Sequence, residues 1–168
     1  MKNKIILIIL LAFAIIGFIV FYKKNNLNQV PITNKSLSEE EAIEEYLNGN
    51  ILKPEFGGKV FCVFNKYGSE EKDNQISYYL WTYCEEYYKK GEEILMGSGV
   101  SMPVKLSAVK NGDQIKITDF KQPIDGEDYP KSIKELFPEK YSSDAIKGFN
   151  VASFSQTPKE KAEQFYNN

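Results

Sequence analysis

The spacing of apolar and polar positions divides the chain into segments of different period. Ile5–Tyr22, "IILIILLAFAIIGFIVFY", is unbroken apolar sequence flanked by Lys2, Lys4, Lys23 and Lys24. As a helix it rises about 27 Å, close to the hydrocarbon thickness of a bilayer. The run is longer than the apolar core of a cleavable signal, and its end, "FIVFYKK", has no small-residue cleavage pattern. The pattern predicts a transmembrane signal-anchor over residues 1–24, with a cleaved, secreted form as the alternative. Lysines flank it on both sides, so the positive-inside bias is nearly balanced. The amino terminus tips it toward N-terminus inside, with the following domain outside. Residues 25–36 are polar, aperiodic and carry Pro31, and read as a linker.

From Leu37 onward the chain reads as one domain, 37–168. "LSEEEAIEEYLNGN" is a helix start: Ser38 as N-cap, Glu41 three residues on as capping box, and Leu37 and Ala42 at staple positions. Ala42, Ile43, Tyr46 and Leu47 form one narrow apolar face, so the helix lies on a sheet. After "KPEFGG" the period becomes two. Lys59–Gly68, Asn74–Gly91 and Ile94–Val109 are rich in aromatic and β-branched residues. "SEEKD" reads as a polar hairpin loop between the first two. From Val100 to Ala108 the alternation places Val100, Met102, Val104, Leu106 and Ala108 on one face. "KNGD" is a hairpin turn, and Gln114–Phe120 returns with Ile115 and Ile117 inward.

The tail changes again. "QPIDGEDYP" is turn chemistry. "KSIKELFPEKYSSDAIKGF" reads as short helical pieces broken at Pro138, and Thr157 with Pro158 starts a last helix. The predicted class is α+β: one helix on a four-stranded antiparallel meander, cystatin-like or similar, then short C-terminal helices.

Charge narrows the function. All 21 basic residues are lysine; four flank the apolar run, leaving 17 against 23 acids, a net −6. An acidic domain is a poor nucleic-acid binder, since phosphate neutralisation needs clustered Lys or Arg. Lysine-, Asn- and Ile-rich usage without arginine is the pattern of AT-rich codons and points to a low-GC bacterium.

Candidate chemistry concentrates in Tyr78–Gly91, "YYLWTYCEEYYKKG". Alternation puts Tyr78, Leu80, Thr82 and Cys84 on one face, and Tyr79, Trp81, Tyr83 and Tyr87 on the other. A strand apolar on both faces is a central strand with cover on each side. The second face has another reading, an exposed platform for a partner, because Tyr and Trp dominate interface hot spots. Cys62 and Cys84 are the only cysteines. A loop centred on Glu71–Lys72 places Cys62 opposite Leu80 or Trp81, roughly 10–13 Å from Cys84 along the strand. That is too far for a bridge and favours two buried thiols. A loop centred on Asp73 aligns them for a disulfide.

The chain has no histidine, which excludes Ser-His-Asp and Cys-His catalysis and His-based zinc sites. No P-loop and no G-x-G-x-x-G is present. In "GSGVSMP", Ser98 and Ser101 lie in or beside a strand rather than on an elbow, and Gly97 and Gly99 suggest a bulge. Glu85 and Glu86, and the Asp125, Glu127 and Asp128 cluster, are the remaining acid–base candidates. Their spacing is ordinary for a solvated strand end and a polar turn, and it does not match a calcium loop. No cofactor or metal is predicted.

"YLW" at Tyr79–Trp81, "GSGVSMPV" at Gly97–Val104 and "PIDGEDY…IKELFP" at Pro123–Pro138 give the chain a family likeness. It resembles an uncharacterised family of small membrane-anchored or secreted proteins of low-GC Gram-positive bacteria. The resemblance covers most of the domain, implies an extracytoplasmic, non-catalytic protein, and assigns no functional residue. The expected function is a membrane-anchored binding or accessory module with a protein or cell-envelope partner. A carboxylate-dependent envelope enzyme and an inhibitor or immunity protein are the alternatives.

Overall fold

The computed structural model describes residues 37–168; the apolar run and the linker lie outside the described residues. Among the described residues, no helix is long and apolar enough to cross a membrane. Helix α1 is Glu39–Asn50, and its capping box is closed in both directions: Ser38 Oγ accepts from the Glu41 amide, and the Glu41 carboxylate accepts the Ser38 N–H at 2.8 Å. Strands β1 (Lys59–Lys72), β2 (Gln75–Lys90), β3 (Glu93–Asn111) and β4 (Gln114–Lys121) follow. They form one antiparallel sheet in the order β1-β2-β3-β4, so the domain is α+β. Three short helices end it: α2 (Tyr129–Leu136), α3 (Glu139–Lys147) and α4 (Pro158–Asn167). Pro138 separates α2 from α3, and Thr157 with Glu160 makes a second capping box.

The sheet is covered on both faces, because β2 carries apolar side chains in both directions. On one face Ile43 and Leu47 of α1 are sealed against Leu80, Cys84, Val104 and Leu106. Burying each such aliphatic side chain stabilises by roughly 1.5–3 kcal/mol. On the other face Tyr79 packs with Ile133 of α2, with Phe137 just after it, and with Ala145 of α3. Phe61 and Tyr87 pack on Ala162 of α4.

The hairpin between β1 and β2 differs from the sequence expectation. "SEEKD" is not its loop: Ser69 to Lys72 belong to β1, and Lys72 pairs with Gln75. The turn is only Asp73–Asn74, both with positive φ. Asn and Asp tolerate that region, which a two-residue hairpin turn needs. A bulge at Tyr67 then shifts the register between Lys66 and Gly68. Without it the pairing counted back from Lys72–Gln75 would set Cys62 against Glu85. With it Cys62 meets Cys84. The bulge in β3 falls where the glycines suggested, between Glu85–Gly99 and Tyr87–Met96.

Candidate functional site

The aromatic residues of β2 are placed as follows. Tyr79 lies 5.3 Å from Phe137 and 5.5 Å from Tyr141, ring centre to ring centre. Its hydroxyl donates to Glu70 at 3.0 Å. Trp81 is buried, and its indole N–H donates to Ser101 Oγ at 2.9 Å. Tyr87 is buried beside Phe61, and Tyr83 is half-buried. Tyr79, Trp81 and Tyr87 are therefore core side chains rather than an open platform. The physical reason for Tyr79 and Tyr87 is α2 to α4, the short C-terminal helices, which pack on this face.

Cys62 and Cys84 are joined as a disulfide, with Cα atoms 4.1 Å apart. The expectation of two buried thiols rested on a loop centred two residues too early, and the Asp73–Asn74 turn with the Tyr67 bulge corrects it. The bridge ties β1 to β2 in the middle of the core shared with α1.

Glu85 and Glu86 are not at a solvated strand end; they are 6 % and 0 % exposed. Strand alternation sends them to opposite faces. Glu85 accepts from two phenols: Tyr83, in a short contact, and Tyr87 at 2.6 Å. Burial first, then this hydrogen bond and the carboxylate's charge, push Tyr83 up to about 12. The same causes in the same order raise Tyr87.

Glu86 is a knot. Its carboxylate accepts the backbone N–H groups of Glu55 (2.9 Å), Phe56 (2.8 Å) and Gly58 (2.9 Å) and the Ser98 hydroxyl (3.0 Å). Burial opposes the charge, but these four donors outweigh it and hold the carboxyl at about 2. Glycines make the room. A Cβ at Gly97 would stand 2.8 Å from Glu86 Oε2, and one at Gly58 would stand 2.2 Å from the Tyr87 carbonyl oxygen. A general acid needs a carboxyl raised toward neutrality with a proton to give. Glu86 is shifted the other way and all its acceptor capacity is engaged, so its role is to fasten the 53–58 loop to β2 and β3. Sequence reading missed this role. The signal available was "FGG" and "GSG": Gly97 leaves space for the carboxylate, and Gly58 lets the loop approach the β2 backbone. Asp125 is engaged locally, accepting the Gly126 N–H at 2.9 Å. Among the described residues, no group of three or more carboxylates or thiols is arranged to hold a metal.

A groove of about 940 Å³ runs along the start of β1. One wall is α1, with Glu44, Glu45 and Asn48; the other is α4, with Lys161, Gln164 and Phe165; the floor holds Lys59, Val60 and Phe61. Lys161 and Glu44 form an ion pair across the groove. Lys59 Nζ stands 4.0 Å over the Phe165 ring. Asn48 Oδ1 accepts the Cys62 N–H at 2.7 Å, as a neighbouring strand's carbonyl would. The groove is thus a polar-walled slot at a sheet edge, and its volume suits a ligand or a few residues of a partner. None of the aromatic residues Tyr79, Trp81, Tyr83 and Tyr87 lines it.

The site and the fold together describe a class: a disulfide-tied α+β domain with a lateral groove and no assembled acid–base pair among the described residues. Compared with known protein families, with curated proteins and with solved structures, the chain matches none.

Proposed function

We propose that this chain is a membrane-anchored extracytoplasmic binding or accessory module without catalytic activity, held by Ile5–Tyr22, whose partner seats in the groove between α1, the start of β1 and α4. The observation that carries the reading is the groove, which has paired polar walls of both charges and an apolar floor at Val60 and Phe61. The Cys62–Cys84 bridge supports placement outside the cytoplasm, since structural disulfides persist in oxidising compartments. The net −6 of the sequence after the apolar run and its flanking lysines argues for a protein or neutral envelope partner and against nucleic acid. The finer fold reading, a cystatin-like sheet curled on one helix, is supported by α1 lying across a four-stranded meander; α2 to α4 are additions to that plan.

The test is site-specific photo-crosslinking in intact cells. A photoreactive residue replaces Gln164 in the groove or, as control, Lys116 on β4. Adducts are identified by mass spectrometry, together with the chain's own N-terminus. A discrete adduct from position 164 but not 116, on a chain intact from Met1, is expected. Equal labelling from both positions, or a chain cleaved after the apolar run and free in the medium, refutes the anchored groove module.

A further inference from the structure

Cys62 and Cys84 are both completely buried, and one element covers them. The core that holds them is built from the four strands and from Ile43, Tyr46, Leu47, Ile51 and Leu52, which lie in α1 or directly after it. Helices α2 to α4 contribute nothing to this core; they pack on the other face. α1 is also tied to the strand at this point, where Asn48 Oδ1 accepts the Cys62 N–H at 2.7 Å.

The sheet and the helix therefore do different things for the bridge. Opposition of Cys62 and Cys84 belongs to β1 and β2, through the Asp73–Asn74 turn and the ladder that follows it. α1 adds cover and no pairing. It has twelve residues, a length at which a helix in isolation is marginal, so it is held by the apolar face that it covers. A disulfide is made or opened only when a thiolate reaches one of its sulfurs, through a mixed disulfide. With α1 in place neither sulfur can be reached.

We propose that Cys62 and Cys84 are oxidised by an external disulfide on the paired sheet while α1 is undocked, and that docking of α1 then seals the bridge against exchange. The step consists of two exchanges. The thiolate of one cysteine attacks the external disulfide, whose S–S bond breaks as a mixed disulfide forms and one external thiolate leaves. The thiolate of the other cysteine attacks the chain sulfur of that mixed disulfide, the Cys62–Cys84 bond forms, and the second external thiolate leaves. The chain loses two electrons and the external disulfide gains them; the two thiol protons pass to the leaving thiolates. The reaction class that must precede the finished fold is dithiol oxidation, and the bridge is a permanent one rather than a switch. The inference does not depend on the anchor or on what the groove holds.

The experiment follows opening of the bridge by dithiothreitol in the full-length chain in detergent micelles, read by alkylation and mass. Three bridged forms are compared: wild type, Leu47→Ala under α1, and Ile133→Ala, an equally buried position in the core of the opposite face. Wild type is expected to be reduced at least about a hundredfold more slowly in native buffer than in urea. Leu47→Ala is expected to raise the native rate at least about tenfold, and Ile133→Ala less than about threefold. Equal native and urea rates overturn the inference, because the sulfurs are then reachable with α1 docked. Equal acceleration by the two variants also overturns it, because exchange then runs through unfolding of the whole domain. If Leu47→Ala does not fold, Leu47→Val and Ile133→Val are compared in the same way.

A second arm dilutes reduced wild type from urea into detergent with oxidised glutathione, with a disulfide-carrying oxidoreductase of the thioredoxin type, or with dissolved oxygen alone. Closure by glutathione supports a small-molecule source of the disulfide, and closure only by the oxidoreductase supports a protein source. Closure as fast with oxygen alone overturns the external-disulfide step.

Discussion

Removing the bridge between Cys62 and Cys84 tests the register of the whole sheet. The two cysteines are separated by 22 positions in sequence and completely buried. Cross-linking a loop of that length removes denatured-state entropy worth about 3 kcal/mol at 25 °C on the chain-entropy model. For a domain of this size the unfolding entropy converts that to a fall in Tm of about 10 °C. The double variant Cys62→Ala/Cys84→Ala should show this loss, measured by urea and thermal unfolding followed by circular dichroism. Its urea m-value should rise, because an uncrosslinked denatured chain exposes more surface. Each single variant should lose about as much as the double, since either one abolishes the bridge. The accompanying check is alkylation of unreduced, denatured protein taken directly from cells. No label should enter the wild type, and two labels should enter after reduction. Full labelling without reduction, or a double-variant loss under about 1 kcal/mol, would refute the reasoning that the Asp73–Asn74 turn and the Tyr67 bulge bring the cysteines together.

Three further outcomes follow from individual contacts. Glu86→Gln puts an amide N–H where a backbone donor must be accepted, so the 53–58 loop should loosen; faster hydrogen exchange at Glu55, Phe56 and Gly58 is the readout, with a lower urea midpoint at pH 7. The folded pKa of Glu86 is depressed to about 2, so its contribution is full above the unfolded carboxylate range and is lost as pH falls toward 2; the gap between wild type and Glu86→Gln should close on acidification. Tyr67 buries its hydroxyl without a hydrogen-bond partner, so Tyr67→Phe should leave the urea midpoint unchanged or raise stability by up to about 1 kcal/mol; a clear loss would mean the hydroxyl is satisfied. Gly68→Ala places a Cβ 2.0 Å from the Tyr141 hydroxyl, and should cost roughly 1–3 kcal/mol as α3 is displaced from the bulge, read from the thermal unfolding curve.

Much of the fold is legible in local pattern. Ser38 with Glu41, and Thr157 with Pro158, mark helix starts because capping satisfies backbone donors within four residues. The alternation of Val100 to Ala108 fixes the inward face of β3, because the side-chain period of a strand is two. Gly97 and Gly99 mark the β3 bulge for the same local reason. Pro138 divides α2 from α3 because proline cannot continue a helix.

What the pattern does not carry is anything that depends on where one strand stops against another. The choice between thiols and disulfide turns on register, set by the Asp73–Asn74 turn and adjusted by one residue at the Tyr67 bulge, where Gly68 accommodates the Tyr141 ring from a helix more than seventy positions away. Glu85 and Glu86 are adjacent acids in sequence and look alike there. The sheet sends one to two phenols and the other to three backbone amides, and only that three-dimensional partnership makes Glu86 a fastener. Tyr79, Trp81 and Tyr87 form a stripe whose composition suits a core or a docking surface equally; all three are buried, and helices pack on Tyr79 and Tyr87. The sequence by itself determined the elements and the inward faces, because those follow from interactions a few residues apart. The groove, the bridge and the carboxylate knot were decided by the tertiary structure, because each joins residues that only chain crossing brings within reach.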